Sequence, residues 1–135
     1  MDVIACAVQL QARVCRSAGD VANLLDEPVR RAGQAGAGLV VLPQLADLVD
    51  RSHPELSATI QRVAGNLARE LRVYLALGVA EAGNALGVAE AGNVGLLFSP
   101  AGETVGRQRQ THLAPQEREG GLVAGEELFT FATDV

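Results

Sequence analysis

At 135 residues the chain is sized for one small domain with a single core, and at 48% hydrophobic it does not read as disordered. A formal net charge of -5 argues against nucleic acid, whose phosphates need clustered cations. Two cysteines, an acidic Asp2 where a leader would be basic, and no apolar run of about 18 residues point to a reduced, soluble, cytoplasmic protein without a disulfide framework or membrane span.

In chain order, Val3 to Leu10 (VIACAVQL) is an apolar run suited to a strand buried on both faces. Asp20 can then cap a helix from about Val21 to Ala35, with Val21, Leu24, Leu25, Val29 and Ala32 on one side. Pro28 falls inside that span, where it would kink the helix or divide it. The glycines of GQAGAG end this helix, and Leu39 to Leu42 (LVVL) reads as a second buried strand. Pro54 marks the start of a second helix, capped by His53 or Ser52, with Leu56, Ile60, Val63 and Leu67 at helical spacing up to Arg69. Val73 to Val79 (VYLALGV) is a third strand. Gly95 to Ser99 and Thr104 to Arg109 flank the turn PAGE and predict a hairpin. Strands alternating with helices, then a hairpin, give an α/β fold: a parallel sheet of right-handed crossovers with antiparallel strands added late.

The nine residues Ala76 to Asn84 (ALGVAEAGN) recur identically as Ala85 to Asn93. Two copies do not make a solenoid, so a local duplication is the simpler reading, with one copy serving as the third strand and the other looping out or extending a hairpin.

Little else in the sequence carries chemistry. Gly33, Gly36 and Gly38 precede a strand, whereas a phosphate cradle follows one, so they read as helix-ending residues. His112 and Glu117 lack a second nearby His or Cys to complete a metal site, and no cofactor is expected. Cys15 lies between Arg13 and Arg16, which favours the thiolate, yet a small packing role suits both Cys6 and Cys15 better. All eleven basic residues are Arg; there is no Lys.

A set of segments in fixed order is more specific than any of these. The opening IACAVQLQ, then AGAGLVVLPQL, LALGVAE, the hairpin NVGLLFSPAGETVGRQRQTHL and the stretch GEELFTFATD together resemble the nitrilase superfamily of carbon–nitrogen hydrolases. The resemblance spans nearly the whole chain but only the first half of a family domain. It implies a nitrilase-like αββα sandwich half, a mixed sheet with helices on one face, over residues 1–135. It also implies a general-base Glu at the position of Gln44, a Lys at the position of Gln110, a supporting Glu at Glu117, and a nucleophilic Cys beyond Val135.

The substitutions at two of these positions define the functional expectation. A Gln amide cannot take a proton at neutral pH, so Gln44 cannot serve as a base. Gln110 brings no positive charge to an oxyanion, and losing one such donor costs about 10²–10³ in rate. The expectation is therefore a truncated, catalytically inactive relative, a pseudoenzyme, in which Gln44 and Gln110 hydrogen-bond to each other in a relic pocket. The alternatives are a binding or regulatory module holding a small amide-like or carboxylate ligand in that pocket, and a fragment of a longer hydrolase. Half a sandwich leaves an apolar sheet face uncovered, which implies a homo-oligomer or pairing with a chain that supplies the missing half.

Overall fold

The computed structural model describes residues 2–45, 48, 53–81 and 90–135. The elements run β1 (Ala5–Ala7), α1 (Ala18–Gln34), β2 (Leu39–Gln44), α2 (Glu55–Leu71), β3 (Tyr74–Glu81), β4 (Gly92–Phe98), β5 (Thr104–Arg109) and α3 (Pro115–Glu119). They form one five-stranded sheet in the order β1-β2-β3-β4-β5, parallel from β1 to β3 and antiparallel from there on. The two crossovers step across the sheet in the same direction. Right-handed connections then put both helices on the same face.

Each helix earns its place by an apolar stripe. In α1 the buried side chains are Val21, Leu24, Leu25, Val29 and Ala32; in α2 they include Leu56, Ile60, Ala64, Leu67 and Ala68. Beneath them, Val40, Leu42, Leu75, Leu77, Val79, Val94, Leu96 and Phe98 are at most 5% exposed and complete the core. The helices are tied at the surface by Arg30, whose guanidinium grips Glu70 at 2.7 and 2.9 Å and Asp26 at 2.9 Å. Those bonds hold the Glu70 carboxyl below its ordinary range, although solvent makes such an exposed pair a small contributor.

Several local expectations are corrected. The first strand is only three residues long and its alanines are exposed, because β1 is a sheet edge covered on one face and pairs with β2 alone. Helix α1 begins three residues earlier than expected. Ser17 is its cap, accepting from the Asp20 amide at 3.1 Å, while the Asp20 carboxylate accepts from the Arg16 amide at 2.9 Å. Pro28 sits inside α1 without dividing it. Gly36, with φ of 82°, ends it as read: the amides of Gly36 and Ala37 return to the carbonyls of Gly33 and Ala32 at 3.0 and 3.2 Å. At α2 the His53 side chain does not cap; its carbonyl accepts from Leu56 while the ring faces Glu55 at 3.1 Å, and Ser52 lies outside the described residues. The core position expected of Val63 is only partly buried.

The first copy of the nine-residue repeat supplies β3 from Ala76 to Glu81, and the last two residues of the second copy, Gly92 and Asn93, open β4. The part of the repeat between them, 82–89, is outside the described residues. In the hairpin, Gly102 takes a φ of 81° and donates its amide to the Ser99 carbonyl at 2.8 Å. Gly102 also lies so close to Gly65 of α2 that a methyl on either would meet the other's carbonyl within 3 Å. That contact seats the hairpin against the helix layer.

Neither α1 nor α2 covers the other sheet face. Leu39, Val41, Ala76, Gly95 and Leu97 line a groove there of about 560 Å³, with Phe131, Thr133 and Val135 along its rim. The helices-on-one-face architecture read from the sequence is what the chain adopts. Among the described residues no helix is long and apolar enough to cross a membrane.

Candidate functional site

Pro43, the penultimate residue of β2, has no amide to give to the ladder. The pairing with β3 accordingly slips there: Val41 faces Ala76, and Gln44, three residues on, faces Gly78, only two residues on. The slip presents Gln44 at the carboxyl end of a parallel strand, the usual place for ligand chemistry in α/β sheets. Its side chain lies across Gly78 so closely that any Cβ at that position would overlap the Gln44 amide. Among the described residues the Gln44 side chain has no hydrogen-bond partner.

Register places the neighbours. Gly78 pairs with Gly95 and Gly95 with Gln108, while Ala80 pairs with Asn93, whose carbonyl accepts from the Gln110 amide at 2.9 Å. Alternation along a strand puts Gly78, Ala80, Asn93, Gly95, Gln108 and Gln110 on the helix-free face. The result is a trough with a glycine floor, Gln44 at one side and a polar cluster at the other.

That cluster is Asn93, Gln110 and Glu117. Asn93 is 7% exposed, and its Nδ2 donates to Gln110 Oε1 at 2.9 Å and to Glu117 Oε1 at 2.8 Å. Gln110 Nε2 donates to the His112 carbonyl at 2.7 Å and to Glu117 Oε2 at 3.2 Å. The same carboxylate oxygen accepts from the Ala114 amide at 2.6 Å, which makes Glu117 the cap of the short helix α3. Both protons of each amide are therefore committed inside the cluster. Glu117 takes part in no ion pair among the described residues, and its charge rests on three N–H donors.

Gln110 and Glu117 thus come together, while Gln44 stands apart. The hydrogen bond expected between Gln44 and Gln110 does not form. They sit on strands three places apart, roughly 14 Å at the usual strand spacing, and Gln110 is already saturated by nearer partners. Asn93 and Gln108 were not singled out from the sequence. Asn93 has one legible signal: it is the second copy of the Asn that closes the nine-residue repeat, directly before the apolar run Val94 to Phe98.

The cysteines belong elsewhere. Cys6 is half-buried on β1, at the opposite sheet edge from β5. Cys15 is wholly buried, and burial, reinforced by the charge of Asp20, pushes its thiol up despite Arg13. A packed, protonated thiol agrees with the packing role read for Cys15 and not with the thiolate that its flanking arginines would favour. His112 is exposed, with its ring on the Thr111 hydroxyl at 3.0 Å, and no group of three His, Cys, Asp or Glu side chains gathers among the described residues.

The family model for carbon-nitrogen hydrolase matches residues 4–134. The chain belongs to the carbon-nitrogen hydrolase family. Its fold is shared with solved structures of the amidase from Nesterenkonia sp. AN1. A glutamate-to-glutamine variant of that amidase, with acrylamide added to its active-site cysteine, is 22% identical, with a TM-score of 0.73 over 91% of this chain and 50% of that one. A cysteine-to-alanine variant in complex with butyramide is 20% identical, with a TM-score of 0.75 over 91% and 48%. A cysteine-to-serine variant, described as belonging to the nitrilase superfamily, is 21% identical, with a TM-score of 0.73 over 91% and 49%. This chain spans about half the length of those amidases. No curated protein matches it.

Proposed function

We propose that these 135 residues form a carbon–nitrogen hydrolase domain that does not hydrolyse amides by itself. The observation that carries this is Gln110. The family resemblance implies a lysine there to stabilise an oxyanion, and the glutamine in its place has given both amide protons to His112 and Glu117. It has neither a charge nor a free donor for a tetrahedral intermediate. At the position implied for the base, Gln44 cannot accept the proton that activates a thiol. Neither Cys15, buried and protonated, nor Cys6, at the far sheet edge, fits the role of the attacking sulfur. The expected result is no ammonia release from acrylamide or butyramide by the purified chain. Release above the buffer rate by the purified chain would overturn the proposal, and its persistence in a Cys6→Ala, Cys15→Ala double variant would show that neither thiol carries it.

A second reading is supported by the trough itself. Gln44 presents an amide with no partner among the described residues over a floor of Gly78 and Gly95, a shape suited to a small planar amide or carboxylate. The acrylamide and butyramide of the Nesterenkonia amidase structures are ligands of that kind. Binding predicts a rise in melting temperature with butyramide or acetate that disappears in Gly78→Ala, whose methyl displaces the Gln44 amide. An unchanged melt at saturating concentrations leaves the domain without a ligand role. Residues 1–135 act on this reading as one half-sandwich domain, and its apolar face suits a second copy or a chain carrying the other half.

A further inference from the structure

The duplication writes the peptide Glu-Ala-Gly-Asn into the chain twice, as residues 81–84 and 90–93. The described residues of the two copies meet different partners. Glu81, the last residue of β3, accepts from both terminal nitrogens of Arg107. Its counterpart Glu90 lies 3.6 Å from Arg109, two residues farther along β5. The Ala91 carbonyl accepts from the Val123 amide at 2.8 Å, and Asn93 donates to Gln110 and Glu117 in the polar cluster. Flanking residues decide which copy becomes β3. The fully buried Leu75 precedes the first copy, whereas a strand built from the second would bring Asn84 into that apolar place.

Spacing is the second constraint. The carbonyls of Ala91 and Asn93 face Val123 and Gln110, so by alternation the Gly92 backbone faces β3, where it pairs with Glu81. With one copy, a single alanine would separate Glu81 from Gly92. A hairpin turn takes at least about two residues, so that pair would have to open. The Ala80–Asn93 pair faces away from itself along the backbone, and closure falls back to Val79 and Val94, both too buried to change register. Asn93 would then stand in the turn instead of the strand, and Glu81 would leave Arg107. We infer that the duplication is what seats Asn93 in the sheet: the first copy lays Glu81 against Arg107, the second brings Asn93 to Gln110 and Glu117, and one copy cannot do both. The repeat is thereby part of how the polar cluster is built, through the length it adds between two uses of the same peptide.

Because the copies are identical, deleting either one gives the same chain. Hydrogen exchange on that single-copy chain is the test. The amides of Gly92 and Gln110 are expected to exchange at least about tenfold faster than in the full chain, while the Val94 amide stays protected. Equal protection of Gly92 and Gln110 in the two chains overturns the inference. A second variant holds the spacing and discards the sequence: residues 82–89 are replaced by a Gly-Ser linker of equal length, which keeps Glu81 and residues 90–93. Gly92 and Gln110 should exchange there as slowly as in the full chain. Loss of their protection in the linker chain, with Val94 still protected, overturns the inference as well, and this arm decides the matter if the single-copy chain does not fold.

Discussion

Replacing Leu75 by alanine is expected to destabilise the fold by about 2–5 kcal/mol, the largest effect of any single substitution considered for this domain. Leu75 is fully buried on β3, the central strand, beneath the helix layer. Truncation removes three carbons from a site walled by strands on both sides, where neighbours cannot collapse into the space. Val41 provides the control. It stands on β2, one strand away, but on the helix-free face, and is 40% exposed. Val41→Ala should cost under about 1 kcal/mol. Urea unfolding of the two variants measures the difference directly, and equal losses would mean that both sheet faces are core.

Glu117→Ala is expected to cost about 1–3 kcal/mol, because it removes the acceptor shared by Asn93, Gln110 and the Ala114 amide. The freed proton on Asn93 is the expensive one, since that side chain is too deeply buried to find water in its place. Glu117→Gln should fare little better: one of its oxygens becomes an N–H donor facing donors. A double-mutant cycle between Asn93→Ala and Glu117→Ala should return a coupling of about 0.5–3 kcal/mol. Additive losses would show instead that Glu117 acts only as the cap of α3. The result bears on the site as well as on stability, because a carboxylate saturated by three N–H donors is held still and has little left to give a ligand.

The secondary structure was legible wherever one physical signal dominated. Helical spacing of Val21, Leu24, Leu25 and Val29 announced α1, and the Gly36 terminator was readable because few other residues tolerate its backbone angle. The turn PAGE after the apolar run Val94 to Phe98 announced the β4–β5 hairpin. Boundaries failed where signals competed: Ser17 and Asp20 are both good caps, and only the folded geometry shows Ser17 accepting and Asp20 reaching back. The run from Val3 to Leu10 has the composition of a buried strand, but composition does not tell which strand will be the sheet edge.

The site divides along the same line. Residue identity alone determined that Gln44 and Gln110 carry neither the base nor the cation the family resemblance implies, because protonation chemistry belongs to the side chain wherever it is placed. It also determined the order of elements, while the helix layer on one face of the sheet followed from the family resemblance. Only the tertiary structure decided which of these residues meet. Gln44 and Gln110 are set three strands apart by the sheet order, and Gln110 is drawn instead to Asn93 and Glu117, which approach it from β4 and from α3. Likewise nothing in the string QRQ foretells that Gln108 would clip residues 127 and 129. Such contacts join positions 17 to 24 residues apart, and their formation depends on strand register, which local sequence does not encode.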